Sequence, residues 1–220
     1  MQFNNFPPGA AATGGGPPVY LTKVGSGQSG NNGYAYDFTV TVPAATRTYR
    51  TLWMDSWLRK GTTVSVTLAG IAITTENYLN NDNGWIYING SWVNTSISGA
   101  VSLYITSSFS ERFAYVLWAA ESDLPISFEN QTVYRTNGYG AYSLSKTYAR
   151  GDAVTATAAA ANGTWTYSAG GGLANAFDFA VDGPNRMGGA SLSEAGSSGT
   201  ATWGTSGTSY SYASVTKFTN

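Results

Sequence analysis

The chain has no histidine and no cysteine, and only 10% of its 220 residues are charged. Histidine is the usual acid–base group near neutral pH and the commonest metal ligand, so Ser-His-Asp and Cys-His nucleophile systems and most zinc sites are excluded. Without cysteine there is no thiolate nucleophile and no thiol redox chemistry. Stability cannot rest on disulfides either. Lysine and arginine total 11 against 12 acidic residues, and they form no run. The basic footprint that binds nucleic acid or anionic lipid is therefore missing. The opening MQFNNFPPGAAATGGGPP has neither a basic segment nor an apolar stretch, so no secretory leader is read and the product is expected to be made in the cytoplasm. No apolar run approaches the roughly 18 residues of a membrane-spanning helix.

Aromatics make up 14% of the residues and hydrophobic residues 42%, enough to bury a core. Residues 1–17 read as an arm: Pro7, Pro8 and Pro17 fix φ, and Gly14-Gly15-Gly16 loosens the chain before Pro18. Phe3 and Phe6 are its only large apolar groups, so Phe3, Phe6, Pro7 and Pro8 are the candidate partner-binding residues. They read either as a frayed terminus or as a tether that orders against a neighbouring subunit.

From Val19 onward the pattern is one of strands punctuated by Gly, Asn, Asp and Ser. Residues 34–42 alternate, which puts Tyr34, Tyr36, Phe38, Val40 and Val42 on one face. Ala69-Gly70 predicts a tight reversal and Asn89-Gly90 a hairpin turn. Residues 112–120 are nearly all apolar, as in a strand buried on both faces. Residues 153–161 are alanine-rich, but Val154, Thr155 and Thr157 favour a strand over a helix. No exact repeat and no heptad pattern is present. About fifteen short strands with no helical period imply an all-β chain of two packed sheets. The domain is expected over 18–220.

Carboxylate pairs are the remaining catalytic device, since glycoside hydrolysis needs only two. Glu121 with Asp123, and Asp178 with Asp182, are the candidates. Strand-end residues capping a turn before Pro125 explain the first pair equally simply, and no enzyme is expected. Asn80-Asn81-Asp82-Asn83-Gly84 looks oxygen-rich but offers one carboxylate, so it reads as a turn. The other reading is a Ca²⁺ loop helped by Asp55 or Glu76. Gly170-Gly171-Gly172 lacks the context of a phosphate loop. No metal and no cofactor is expected. Trp85 and Tyr87 alternate with Ile86 and Ile88, and with Trp92, Tyr139 and Tyr142 they form a candidate glycan platform; the competing reading is core.

Several stretches follow one another in a familiar succession. They are Phe38-Thr39-Val40-Thr41-Val42-Pro43, the strand from Arg47 to Trp57, and the Thr62-to-Thr74 hairpin around Gly70. Trp92-Val93, Ser98-Gly99-Ala100-Val101-Ser102-Leu103, the apolar strand from Ala114 to Asp123, and the closing pair Thr200-Ala201-Thr202-Trp203 with residues 210–218 complete the series. This order, over residues 34–218, resembles a β-sandwich domain that recurs in tailed-bacteriophage virion proteins and bacterial surface proteins. The resemblance implies a jelly-roll-like β-sandwich with a short extended N-terminal arm and no shared catalytic residues. It further implies a virion protein, a capsid decoration or head spike/fibre subunit. Such a subunit would form a homo-oligomer and be tied by its arm to a major capsid or other virion structural protein. The alternative is a tail-fibre adhesin or carbohydrate-binding module that recognises host surface glycans.

Overall fold

The computed structural model describes residues 16–59, 64–80, 85–135, 140–161, 166–182, 185–208 and 210–220. Among these the chain is all-β and contains no helix. The first half comprises β1 (Tyr20–Gln28), β2 (Gly33–Val42), β3 (Tyr49–Arg59), β4 (Val64–Leu68), β5 (Ile71–Ala72), β6 (Thr74–Asn80), β7 (Trp85–Val93), β8 (Gly99–Glu111) and β9 (Phe113–Ser122). The second half comprises β10 (Ser127–Arg135), β11 (Gly140–Tyr148), β12 (Ala153–Ala161), β13 (Thr166–Gly170), β14 (Ala174–Asp182), β15 (Asn185–Leu192), β16 (Gly199–Thr208) and β17 (Tyr210–Thr219).

Where the sequence implies two packed sheets, there are four, all antiparallel. Sheet 1 is ordered β2-β8-β4-β5 and sheet 2 is ordered β1-β9-β3-β7-β6. Sheet 3 is ordered β10-β17-β12-β15-β14 and sheet 4 is ordered β11-β16-β13. They stack in that sequence because alternate residues of the middle sheets face opposite layers. Leu52, Met54 and Leu58 of β3 join the core against sheet 1, whereas Trp53 and Trp57 join the core against sheet 3. Likewise Ala153 and Ala159 of β12 face sheet 2, and Val154, Ala156 and Ala158 face sheet 4. Burial on both faces explains why every residue of β9 is buried and why β12 is built from small side chains. Three of the tryptophans of sheet 2, Trp53, Trp57 and Trp118, meet the alanines of sheet 3 together with Tyr212 and Phe218. Large residues opposite small ones let the layers close without voids.

The two halves are wired alike. Replacing β1, β9, β3, β7 and β6 by β10, β17, β12, β15 and β14 turns the order of sheet 2 into that of sheet 3. The irregularities recur as well. A register shift falls between Thr75 and Asn77 and again between Asn175 and Phe177. Another falls between Gly33 and Ala35 and again between Gly140 and Tyr142. The reversal at Ala69-Gly70 (φ 51° and 77°) is matched at Gly171-Gly172 (φ 64° and 85°). Asn94 and Glu194, both at positive φ, follow β7 and β15. The bond from Thr95 N–H to the Arg50 carbonyl (3.2 Å) is matched by that from Ala195 N–H to the Asp152 carbonyl (2.8 Å). Ser98-Gly99 and Ser198-Gly199 lead into β8 and β16. A duplicated fold accounts for all of these with one cause.

Several sequence expectations change. Asn89-Gly90 is not a turn: both residues lie inside β7, where Gly90 pairs with Met54 and Thr75. Glycine is needed there because a Cβ would sit 2.3 Å from the Thr74 carbonyl oxygen. Strands β6 and β15 were not anticipated. Val40 and Val42 enter the core as the alternation of β2 predicts, but Tyr34 at its start is 63% exposed. Gly90→Ala is expected to lower stability by about 1–3 kcal/mol through this overpacking, read as a shift of the urea-denaturation midpoint.

Candidate functional site

Three of the four candidate carboxylates are held by arginines. Glu121, next to last in β9, sits beside Arg50, with Nε to Oε1 at 3.0 Å, and accepts a bond from the Thr46 backbone N–H at 3.1 Å. Asp123 meets Arg47 at 2.8 Å and Asp178 meets Arg186 at 2.8 Å. Arg50 is itself buried and donates to the carbonyls of Ile97 (3.0 Å) and Pro43 (2.6 Å). The side chain of Asp182 lies outside the described residues. Among the described residues no cluster of three or more His, Cys, Asp or Glu side chains could hold a metal.

The aromatic platform is also rearranged. Tyr87 and Trp92 are core residues, 2% and 4% exposed, and Trp92 Nε1 donates to the Ile71 carbonyl at 2.9 Å. Neither offers a face to a sugar, because β7 lies inside a sheet covered on both sides. Trp85 opens β7 opposite Arg59, and Tyr142 pairs with Thr205. The side chains of these two residues, and the whole of Tyr139, lie outside the described residues. So do Phe3, Phe6, Pro7, Pro8 and most of the Asn80–Gly84 run.

Between sheets 2 and 3 the chain places a polar network that sequence reasoning missed. Asp55, 1% exposed, sits on β3 facing sheet 3. Its Oδ1 accepts the Tyr87 hydroxyl at 2.5 Å. Its Oδ2 accepts the Thr157 hydroxyl of sheet 3 at 3.0 Å and Trp53 Nε1–H at 3.2 Å. Asn89 donates to the Tyr87 oxygen at 2.8 Å and to Ser214 at 3.4 Å. Asn77 reaches across to Asn130 at 2.8 Å, and Asn130 donates to Ser214 and Thr216, each at 2.7 Å. No cation among the described residues pairs with Asp55. Asp55 and Thr157 are equivalent positions of the two halves: each is central in its sheet, the first opposite Asn89 and Val116, the second opposite Gly189 and Ser214. Their bond therefore lies on the pseudo-two-fold axis that relates the halves. Rings stack alongside it, with Tyr87 and Tyr212 centroids 3.7 Å apart.

Burial raises the Asp55 carboxyl above the ordinary aspartate range, against the lowering effect of the bonds from Tyr87, Thr157, Trp53 and Asn89. The Tyr87 hydroxyl is pushed well above the usual tyrosine value, first by burial and then by the charge of Asp55. Asp55 thus holds its proton to higher pH folded than unfolded.

The ends of the molecule differ. At one end the root of the arm joins the second half. Val19 N–H donates to the Gly151 carbonyl at 2.7 Å, Glu194 N–H donates to the Val19 carbonyl at 3.0 Å, and the Asn220 side chain meets the Pro17 carbonyl. A cavity of about 370 Å³ opens there, lined by Gly16, Pro18, Arg150, Gly151 and Glu194 among others. The loop between β11 and β12 spans residues 149–152; its counterpart between β2 and β3 spans residues 43–48, and the Pro43 carbonyl in it accepts a bond from Arg50 at 2.6 Å. At the other end, beyond Gln28, the connection to β2 carries exposed Asn31 and Asn32, and exposed Tyr34 stands at the start of β2.

A carboxyl raised in the folded state contributes stability that is complete below the unfolded pKa and is lost as pH rises through the folded one. Wild-type urea midpoints should therefore fall as pH rises above about 4, and Asp55→Asn should remove that part of the slope. Equal slopes in both proteins would mean that Asp55 does not titrate differently on folding. No family model matches the chain, and no curated protein matches it.

Proposed function

We propose that the chain is a non-enzymatic structural subunit of a tailed-bacteriophage particle, a capsid decoration or head spike/fibre protein built from two jelly-roll-like sandwiches in tandem. The order β1-β9-β3-β7 facing β2-β8-β4-β5 is that expected of an eight-stranded jelly roll, with β6 added at the edge of sheet 2. The second half repeats it without a counterpart of β5. The observation that carries the functional reading is the arm root. Both ends of the described chain meet at one end of the molecule, where the Val19 bonds seat the segment that leads to residues 1–15. A subunit tied there to a capsid or adaptor protein presents its opposite end outward.

The outer faces favour packing between copies. Thr39, Thr41, Ser102 and Tyr104 are exposed on sheet 1, and Ser143, Ser145, Thr147, Thr200 and Thr202 on sheet 4. Asp37, which accepts a bond from Ser102, adds the one charge among these rows. Hydroxyl-rich, charge-poor faces impose little repulsion on like faces, and weak contacts repeated around a symmetric particle gain by avidity. Three of the four candidate carboxylates are engaged by arginines, which supports a role without turnover.

Deleting residues 1–15, which leaves the Pro17 and Val19 contacts intact, is expected to abolish incorporation into particles. The thermal unfolding midpoint of the isolated chain should stay unchanged. Particles that still carry the truncated chain at wild-type copy number would refute the tether.

A further inference from the structure

The start of β2 departs from the regular ladder in a way that neither the core nor the arm explains. Gly33 pairs with Glu111 and Ala35 pairs with Thr106, so the single residue Tyr34 stands opposite residues 107–110 of β8. Such wide irregularities re-aim side chains at the rim of a sheet. Here the effect is to display two rings, Tyr34 at 63% and Phe109 at 49% exposure. Two residues beyond Tyr34, an aromatic column begins at Tyr36 and runs into the core. Tyr36 lies 6.2 Å from Phe38 and 6.3 Å from Phe113, and Phe38 lies 5.0 Å from Tyr115.

The surrounding backbone is held in place. Ser29 N–H donates to the Phe113 carbonyl at 2.9 Å, Phe113 N–H returns a bond to the Ser29 hydroxyl at 3.0 Å, and that hydroxyl donates to the Asn31 carbonyl at 2.9 Å. The Tyr36 hydroxyl donates to the Gly33 carbonyl at 2.9 Å. Gly30, at φ +63°, would have nothing within 4 Å of an added Cβ, so the loop faces open space. Asn31 and Asn32 are exposed beside it.

We propose that this bulge is a binding site for a neutral saccharide. Size and charge select that class. Two half-exposed rings offer about 200 Å², far below the roughly 800 Å² per partner of a specific protein contact, but matched to one or two sugar rings. The exposed side chains of Asn31, Asn32 and Tyr34 carry no charge. No residue from Gly30 to Tyr36 is charged, so nothing in this segment favours a phosphate or an acidic polymer. The apolar C–H face of a pyranose would lie on the displayed rings, while the carboxamides of Asn31 and Asn32 donate to and accept from its hydroxyls. A preorganised aromatic surface loses little entropy on binding. The site extends the anchored-subunit reading, since it lies at the far end of β1 from the arm root. The isolated chain tests it, however, so a failure here leaves arm-dependent incorporation standing.

The test is an array of neutral and acidic oligosaccharides probed with the full-length chain, followed by titration of the best neutral oligosaccharide. Binding to neutral members is expected. Tyr34→Ala and Phe109→Ala should each weaken it about three- to tenfold, and Asn31→Ala should weaken it too, with unchanged thermal unfolding as the check on folding. Trp85→Ala should leave it intact. Failure of every neutral oligosaccharide to bind, preference for acidic members, or full binding by the Tyr34→Ala/Phe109→Ala double variant would each overturn the proposal. So would sedimentation that shows these rings buried in a dimer instead.

Discussion

The structure depends on the contact between sheets 2 and 3, because each of these sheets is buried on both faces only while the other covers it. Residues that would burden an ordinary sandwich follow from that constraint: the all-apolar β9, the alanine run of β12, and three tryptophans on the side of sheet 2 that faces away from its own partner sheet. Burying a carboxylate in such a place costs several kcal/mol unless donors surround it. Asp55 has them from both sheets, so the network that tolerates it also fixes how the sheets register. A slip of one residue along either strand would turn Asp55 or Thr157 toward the wrong layer and leave hydroxyl and amide groups unpaired.

Duplication explains why the contact takes this form. The two halves meet through equivalent faces, so neighbours come in reciprocal pairs whose chemistry has since diverged. Asn77 bonds to Asn130 on one side of the axis, and at the matching place Lys23 lies over the ring of Phe177, 5.6 Å from its centroid. The first half became large and aromatic on the shared face, the second small and hydroxylated, and the fit between them is one of complementary size. Divergence at the end near the termini is equally plain. The loop after β11 is shorter than its counterpart after β2, and the incoming chain at Gly16–Val19 lies beside it.

Much of the strand pattern was legible, since alternation in β2 and the apolar run of β9 are local signals of burial. So was the reversal at Ala69-Gly70. What escaped was whatever local propensity misrepresents. Asn89-Gly90 has turn chemistry, yet Asn89 is buried in the network and Gly90 makes room for a neighbouring carbonyl. Gly188-Gly189 in β15 reads as punctuation, but a Cβ on Gly189 would meet the Phe177 ring at 2.5 Å and the Ala156 carbonyl oxygen at 2.6 Å. The duplication was hidden because it survives in bulges, turns and positive φ values rather than in identities. Alternation places Tyr34 on the same face as Val40, and the bulge that sets it apart is invisible in the sequence. Nothing in the spacing of Asp55, Tyr87, Thr157 and Ser214 points to their meeting.

One mechanical consequence follows from the place where the arm joins the body. β1 begins beside the arm root and pairs with β9 from Tyr20↔Glu121 to Gln28↔Ala114, ending next to the aromatic bulge. A pull between a tethered arm and the opposite tip therefore runs along the strand axis. It strains the whole ladder at once in shear instead of peeling its hydrogen bonds one by one. Forced rupture is governed by the rate of unfolding rather than by equilibrium stability, and shear of a strand clamped to the most deeply buried member of its sheet makes that rate slow. The same amino-acid order that hides the duplication thus aligns the strand after the arm with the direction in which a tethered arm would be pulled.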